Sequence, residues 1–298
     1  MVKKVELHNH LEGTAPPQLI TMIGERNGVK LPKNIISDCG SYFIWNDFLE
    51  FLNVYEQASM VIKKPIDYFD ITYDYLKKCA MDEAIYVEMM YSPEHAENAS
   101  GIPSKEHMVA IGEAIDKAEQ DFGILARVIN VAVRHYGIEA CESVANRALT
   151  EPHKYVTGFG LAGDEQGFSP KQFKRAFDIA FDANLGCTVH AGEMEGPKLI
   201  TQALDNLKVS RLGHGVRAIE DPALMQRLKE EKIHLEICPS SNVILGVYPN
   251  LEAHPLRKIY DYGLSLSLNS DDPPYFKCSL AGEYEVAQKY FNLFLKIV

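Results

Sequence analysis

The stretch "AIYVEMMYSPEHAENASGIPSKEHMVAIGEAIDKAEQDFGILARVINVAV", residues 84–133, decides the fold. Its two ends, "AIYVEMMYS" (84–92) and "LARVINVAV" (125–133), are short apolar runs of the kind that form strands buried on both faces. Between them, residues 104–122 repeat apolar positions at helical spacing. A strand, a helix and a second strand in succession predict a parallel crossover unit.

The same alternation extends in both directions. Toward the C-terminus a helix is expected over 138–149, followed by the strand candidates "YVTGFGLAG", "GCTVHAGE", "RLGHGV", "IHLEICP" and "LSLSLNSDD". Helical stretches at about 170–184, 196–207, 221–231 and 254–262 separate them. Toward the N-terminus lies a mostly helical segment that begins with a helix near 17–27 and holds the only tryptophan, Trp45. A first strand, residues 4–10, precedes it. Eight strands alternating with helices predict an α/β protein, a closed (β/α)8 barrel of the TIM type, with a helical insertion at about 14–82. One domain spanning 1–298 is expected. A doubly wound open sheet is the alternative, but no GxGxxG follows an early strand and no GxxxxGK[ST] occurs.

Composition narrows the function classes. Apolar residues make up 46% and charged residues 24%, the balance of a globular chain. The net charge of -11, without a basic cluster, gives nucleic acid or an anionic membrane nothing to bind. Small molecules are the expected partners. The cysteines 39, 79, 141, 187, 238 and 278 form no CxxC pair, so they are read as reduced thiols of a cytoplasmic protein. "MVKKVELHNH" has no apolar export core, and no run is long enough to span a bilayer.

Unusual polar residues gather at the C-terminal ends of the predicted strands, where such barrels carry their chemistry. In "VELHNHLEG" (5–13), His8 and His10 stand two apart and so share one strand face. Two imidazoles in a barrel interior need partners, and a metal is one; surface or hydrogen-bonded histidines are the other reading. His190 in "TVHAGE" reads as a core histidine or a ligand, and Glu193 as an acid-base group or a helix cap. His214 in "RLGHGV" sits between glycines that allow close approach or simply make a turn. Gly163, Asp164 and Glu165 end another strand. In "LNSDDPPYF", Asp271 and Asp272 repel each other unless a cation compensates one, or the pair marks a surface turn.

The remaining histidines are read as structural: His95, His107, His153 and His234 without evident partners, His135 and His254 without metal-like spacing. Asn98-Ala99-Ser100 matches a glycosylation signal that a cytosolic chain does not use. Cys238 lies in "ICPSSN", but the HxE…PCxxC pattern of cytidine-type zinc deaminases is absent.

Taken together, "ELHNHLEG", "GFGLAGDE", "TVHAGE", "RLGHGV", "ICPSSN" and "LSLNSDDP" resemble, in order, the adenosine/adenine deaminase family of amidohydrolase barrels. The resemblance spans residues 5–273 and implies one zinc ion per subunit, held by His8, His10, His190 and Asp271. It implies Glu193 as proton donor to purine N1, His214 as support for the attacking hydroxide, Asp272 as the N7 contact and Gly163 as the N3 contact. Attack at C6 followed by loss of ammonia yields a 6-oxo purine.

The motifs divide over the substrate. "LAGDE" and "IYVEMMYSPEH" resemble adenosine deaminases, whereas "NSDDPPYF" resembles the adenine branch. Glu12 stands where adenosine deaminases carry an aspartate that contacts the ribose. Conversion of adenosine to inosine is the expectation, and conversion of adenine to hypoxanthine the alternative. A non-catalytic purine-binding barrel and an amidohydrolase acting on an unrelated amide are rivals; Glu193 and His214 argue against the first, Asp272 and Gly163 against the second. Family members continue past the helix after "NSDDP", while this sequence stops at "YFNLFLKIV", so a short closing helical layer is expected.

Overall fold

The computed structural model describes residues 2–294. Eight strands form one sheet in the order of the chain, and every neighbouring pair is parallel. They are β1 Lys4–Glu6, β2 Ala84–Tyr91, β3 Leu125–Val133, β4 Val156–Ala162, β5 Gly186–Ala191, β6 Arg211–His214, β7 His234–Ile237 and β8 Ser265–Leu268. The barrel closes between the first and last strands: Asp271 N donates to His8 O at 3.0 Å and His10 N to Asp271 O at 3.2 Å. The (β/α)8 TIM-type barrel is therefore the fold.

β1 is shorter than the 4–10 expected. Regular pairing stops because Leu7 N–H turns to the Asn269 side-chain oxygen at 2.9 Å, and only isolated bridges at Asn9 and His10 follow. These bridges still aim His8 and His10 together.

Between β1 and β2 the chain builds α1 (Pro17–Asn27), α2 (Phe48–Ser59) and α3 (Pro65–Met81). Proline opens α1 and Gly28, at φ 69°, ends it. The Asp47 side chain caps α2 by accepting from Glu50 N. After β2 come α4 (Pro93–Ser100) and α5 (Ser104–Phe122), the latter as predicted. The outer layer continues with α6 (Ile138–Thr150), α7 (Lys174–Asp182), α8 (Pro197–Asn206), α9 (Pro222–Glu230), α10 (Pro239–Ile244), α11 (Leu256–Tyr262), α12 (Pro273–Phe276) and α13 (Leu280–Phe291). The helix expected over 170–184 begins instead with a 3-10 turn at Pro170–Phe173. The closing layer includes α13, whose Ala287 and Phe291, with Leu293, are buried in the core; the last residues of the tail, 295–298, lie outside the described residues.

Apolar packing lies mainly between sheet and helices. One cluster joins β2, α3 and α5, with Val87, Met89, Ile111 and Ile115 at its centre; a second joins the later strands to α6–α11. A small third cluster, Met90, Ile129, Val131 and Ala162, comes from the opposite faces of β2–β4, which point into the barrel. No described helix is long and apolar enough to cross a membrane.

Candidate active site

The strand ends bring His8, His10, His190, His214 and Asp271 into one buried cluster. Ring centroids lie 4.5 Å apart for His8 and His190, 4.9 Å for His8 and His214, and 5.1 Å for His10 and His190. Asp271 Oδ1 is 3.8 Å from His8 Nε2 and 3.6 Å from His10 Nε2, and its Oδ2 is 3.8 Å from His214 Nε2. His214 and Asp271 both adopt positive φ, 58° and 62°, conformations that are disfavoured for residues with a side chain and that gather at functional sites. Neighbouring glycine makes the cluster possible: a Cβ on Gly213 would lie 2.8 Å from His8 Cε1.

The donor set fits a metal ion. His8 Nδ1 is bonded to Glu236 Oε2 at 2.8 Å, which assigns its proton there and leaves Nε2 as a lone pair; that buried Nε2 has no partner. His10 Nε2 and His190 Nε2 approach to 3.2 Å. Burial lowers His10 to about 4 and His190 well below its ordinary value, so both rings are neutral and offer lone pairs. Against burial, which would raise it, the adjacent His214, His8 and His10 lower the Asp271 carboxyl below its ordinary value. Three imidazole nitrogens and a carboxylate are what zinc takes. Cys238 approaches His214 and Asp271 as well, but burial pushes its thiol far up, so it remains protonated.

Around the cluster lies a cavity of about 340 Å³. It is lined by His10, His190, Glu193, His214, Asp271 and Asp272, by Gly163 and Val133, and by Phe48, Leu49, Leu52 and Tyr55 of α2. Glu193 is buried, with Asn242 Nδ2 and His214 Nδ1 each 3.5 Å from its Oε1. Burial, then Asp271 and Glu165, push its carboxyl well above the usual range. Burial and Asp271 do the same to Asp272. Burial lowers His214 to about 3, and Asn242 Nδ2 sits 3.1 Å from its Nδ1. Gly163, at φ 93°, presses on His135: a Cβ there would meet His135 Nδ1 at 2.9 Å.

Glu12 behaves differently from the other expected site residues. It lies in a 3-10 turn, buried, with Tyr68 OH donating to its Oε1 at 3.0 Å, and it is not among the residues that line the cavity. Burial raises its carboxyl to about 7.

Sequence reasoning missed the support beneath His8. Glu236 bonds His8, Arg211 Nε donates to Glu236 Oε1 at 2.9 Å, and Arg211 Nη2 lies 2.6 Å from Glu88 Oε2. Against burial, which would raise it, His8 and Arg211 hold Glu236 below its ordinary value. One signal was available: a charge at an inward position of the apolar strand "IHLEI". Among the histidines read as partnerless, His95 pairs with Tyr136 at 3.1 Å, His107 with Tyr91 at 2.9 Å, and His234 with Ser265 at 2.8 Å. These partners lie 16 to 41 residues away, beyond local reading, while Ser100, 3.2 Å from His107 Nε2, is only seven away. His95 and His135 also line the cavity.

The adenosine deaminase family pattern matches residues 3–294. The chain is 44% identical to an adenine deaminase of Chelativorans sp. over 98% of this chain and 89% of that one. A crystal structure of adenine deaminase from Arthrobacter aurescens superposes with a TM-score of 0.90 at 32% identity, covering 99% of this chain and 89% of that one. An amidohydrolase from Burkholderia ambifaria, solved with bound zinc, gives 0.89 at 26% identity over 98% and 81%. The Chelativorans relative, a 43% identical relative from Agrobacterium fabrum and the Arthrobacter structure are all named adenine deaminases, which favours the alternative substrate over the expected adenosine.

Proposed function

We propose that this chain, which belongs to the adenosine deaminase family of hydrolytic deaminases, removes the 6-amino group of free adenine as ammonia and leaves hypoxanthine. The observation that carries the choice of base over nucleoside is the place of Glu12. A carboxylate that contacted a ribose would have to line the cavity, whereas Glu12 is bonded by Tyr68 OH and is not among the residues that line it. The names of the similar proteins point the same way.

His8, His10, His190 and Asp271 would hold one zinc ion. When bound, such an ion supplies Lewis acidity that makes water acidic near neutral pH. Glu193, kept protonated by burial and by the nearby Asp271 and Glu165, donates its proton to purine N1 as C6 becomes tetrahedral. His214 is neutral, and because Asn242 Nδ2 donates to its Nδ1 the ring proton sits on Nε2, which faces the cluster and donates a hydrogen bond that orients the attacking oxygen. Asp272, also protonated, donates to the N7 lone pair. The backbone of Gly163 approaches N3 closely because no Cβ fits there. Six unpaired cysteines support a reducing, cytoplasmic setting for a purine-salvage enzyme.

The test is ultraviolet absorbance of the zinc-loaded protein with adenine and, separately, adenosine. Conversion of adenine with adenosine slower by at least about 100-fold, the discrimination a missing polar contact can impose, is expected. Faster conversion of adenosine would restore the nucleoside reading, and no ammonia from either would favour a non-catalytic barrel.

A further inference from the structure

We propose that Glu165 is a positioning residue for Glu193: its carboxylate grips the backbone of the loop that carries the proton donor and fixes where that side chain points. The loop, residues 192–196, joins β5 to α8 without helix or strand of its own. Its shape must therefore come from outside. Glu165 Oε2 accepts from Glu195 N at 2.6 Å, the main hold, and Oε1 more weakly from Glu193 N at 3.4 Å, so two oxygens face two alternate amides. On the other side Arg217 Nη1 donates to Met194 O at 2.7 Å and Arg217 N to Gly192 O at 3.1 Å.

The grip matters because Glu193 is poorly held by its own side chain. Its polar contacts with Asn242 and His214 are both long, 3.5 Å. Direction must then be inherited from the backbone, and Glu165 is the only side chain among the described residues that accepts from the Glu193 amide. Glu165 itself is only 3% exposed and arrives from the end of β4, a different strand, so it ties two loops of the site together. Burial raises its carboxyl, opposed by the loop amides and by the buried Arg134. The inference rests on the proposed deamination for the role of Glu193, but the grip itself does not.

The experiment compares wild type, Glu165→Gln and Glu165→Ala, all zinc-loaded with metal content measured. It reads kcat and KM for adenine, the Kd of hypoxanthine by calorimetry, and amide hydrogen exchange across residues 192–196. Small misplacements of a reacting group reduce rates by up to about 100-fold, so a loss of about that size is expected for Ala and about tenfold for Gln, which keeps one acceptor. KM, hypoxanthine affinity and metal content should stay within about twofold while the amides of Glu193 and Glu195 exchange faster. A kcat near wild type in both variants overturns the proposal, as does a joint fall of kcat, hypoxanthine affinity and metal content. If wild type releases no ammonia from adenine, the substrate reading fails by itself. The exchange comparison then still decides the grip, which is refuted if those two amides exchange alike in all three proteins.

Discussion

Two walls of the barrel interior face each other and differ in almost every respect. Apart from Glu88, which meets Arg211, the wall from β2–β4 is lined by Met90, Ile129, Val131 and Ala162, with Gly158 and Gly160 packed against the isoleucine and valine side chains. The wall from β5–β8 carries Thr188, His190, Arg211, His214 and Glu236 and, closed by the first strand, His8. The first is held by close packing, which tolerates no gap. The second is held by paired charges and hydrogen bonds, each of which makes the next costly to remove. One barrel thus separates the work of staying folded from the work of holding reactive groups, and the two kinds of wall should fail in different ways.

Substitutions on the two walls test that division, ranked by effect on turnover. Glu193→Gln removes the proposed proton donor on the polar side and should reduce kcat by about 1,000-fold, with zinc content and thermal stability near wild type. Normal turnover would end its assignment as the acid. Glu236→Gln should weaken zinc binding by about 10- to 100-fold, the usual effect of losing the partner of a ligating histidine. A chelator competition measures it, and unchanged affinity would mean that His8 does not depend on that carboxylate.

Ile129→Ala attacks the apolar wall. It should reduce unfolding stability by about 2–5 kcal/mol while zinc affinity stays unchanged. Denaturant melts and the same chelator assay decide it, and a loss of zinc would show that the walls are not separable. The smallest effect concerns Glu283, buried on α13 outside the barrel, whose Oε2 accepts from Ser240 N at 3.2 Å. Burial raises its carboxyl from 4.5 to about 7, so its stabilising contribution is complete below about pH 4.5 and lost as pH rises through 7. Glu283→Gln should therefore flatten the decline of melting temperature between pH 5 and pH 8, with adenine turnover unaltered. Parallel pH profiles would count against it.

Much of this was legible along the chain. Helices such as residues 104–122 carry their own spacing, and His8 and His10 carry theirs, because a period of 3.6 or 2 is a local property of the backbone. The residues at strand ends followed from the barrel, since a parallel sheet brings all those ends to one side. Asn242 was within a recognised motif, "ICPSSN", yet its contact with His214 spans 28 residues and has no local mark.

The sequence by itself determined the strand and helix alternation and the family, and it supplied the candidate ligands and acids, because each is encoded in short patterns. Only the tertiary structure decided which groups support them. Glu236 reaches His8 across 228 residues, Glu165 reaches the Glu193 and Glu195 amides across 28 and 30, and Glu12 meets Tyr68 across 56. The physical reason is that a buried charge is placed by whatever partner closure of the barrel brings within hydrogen-bond reach, and that partner is set by three-dimensional packing, not by spacing along the chain.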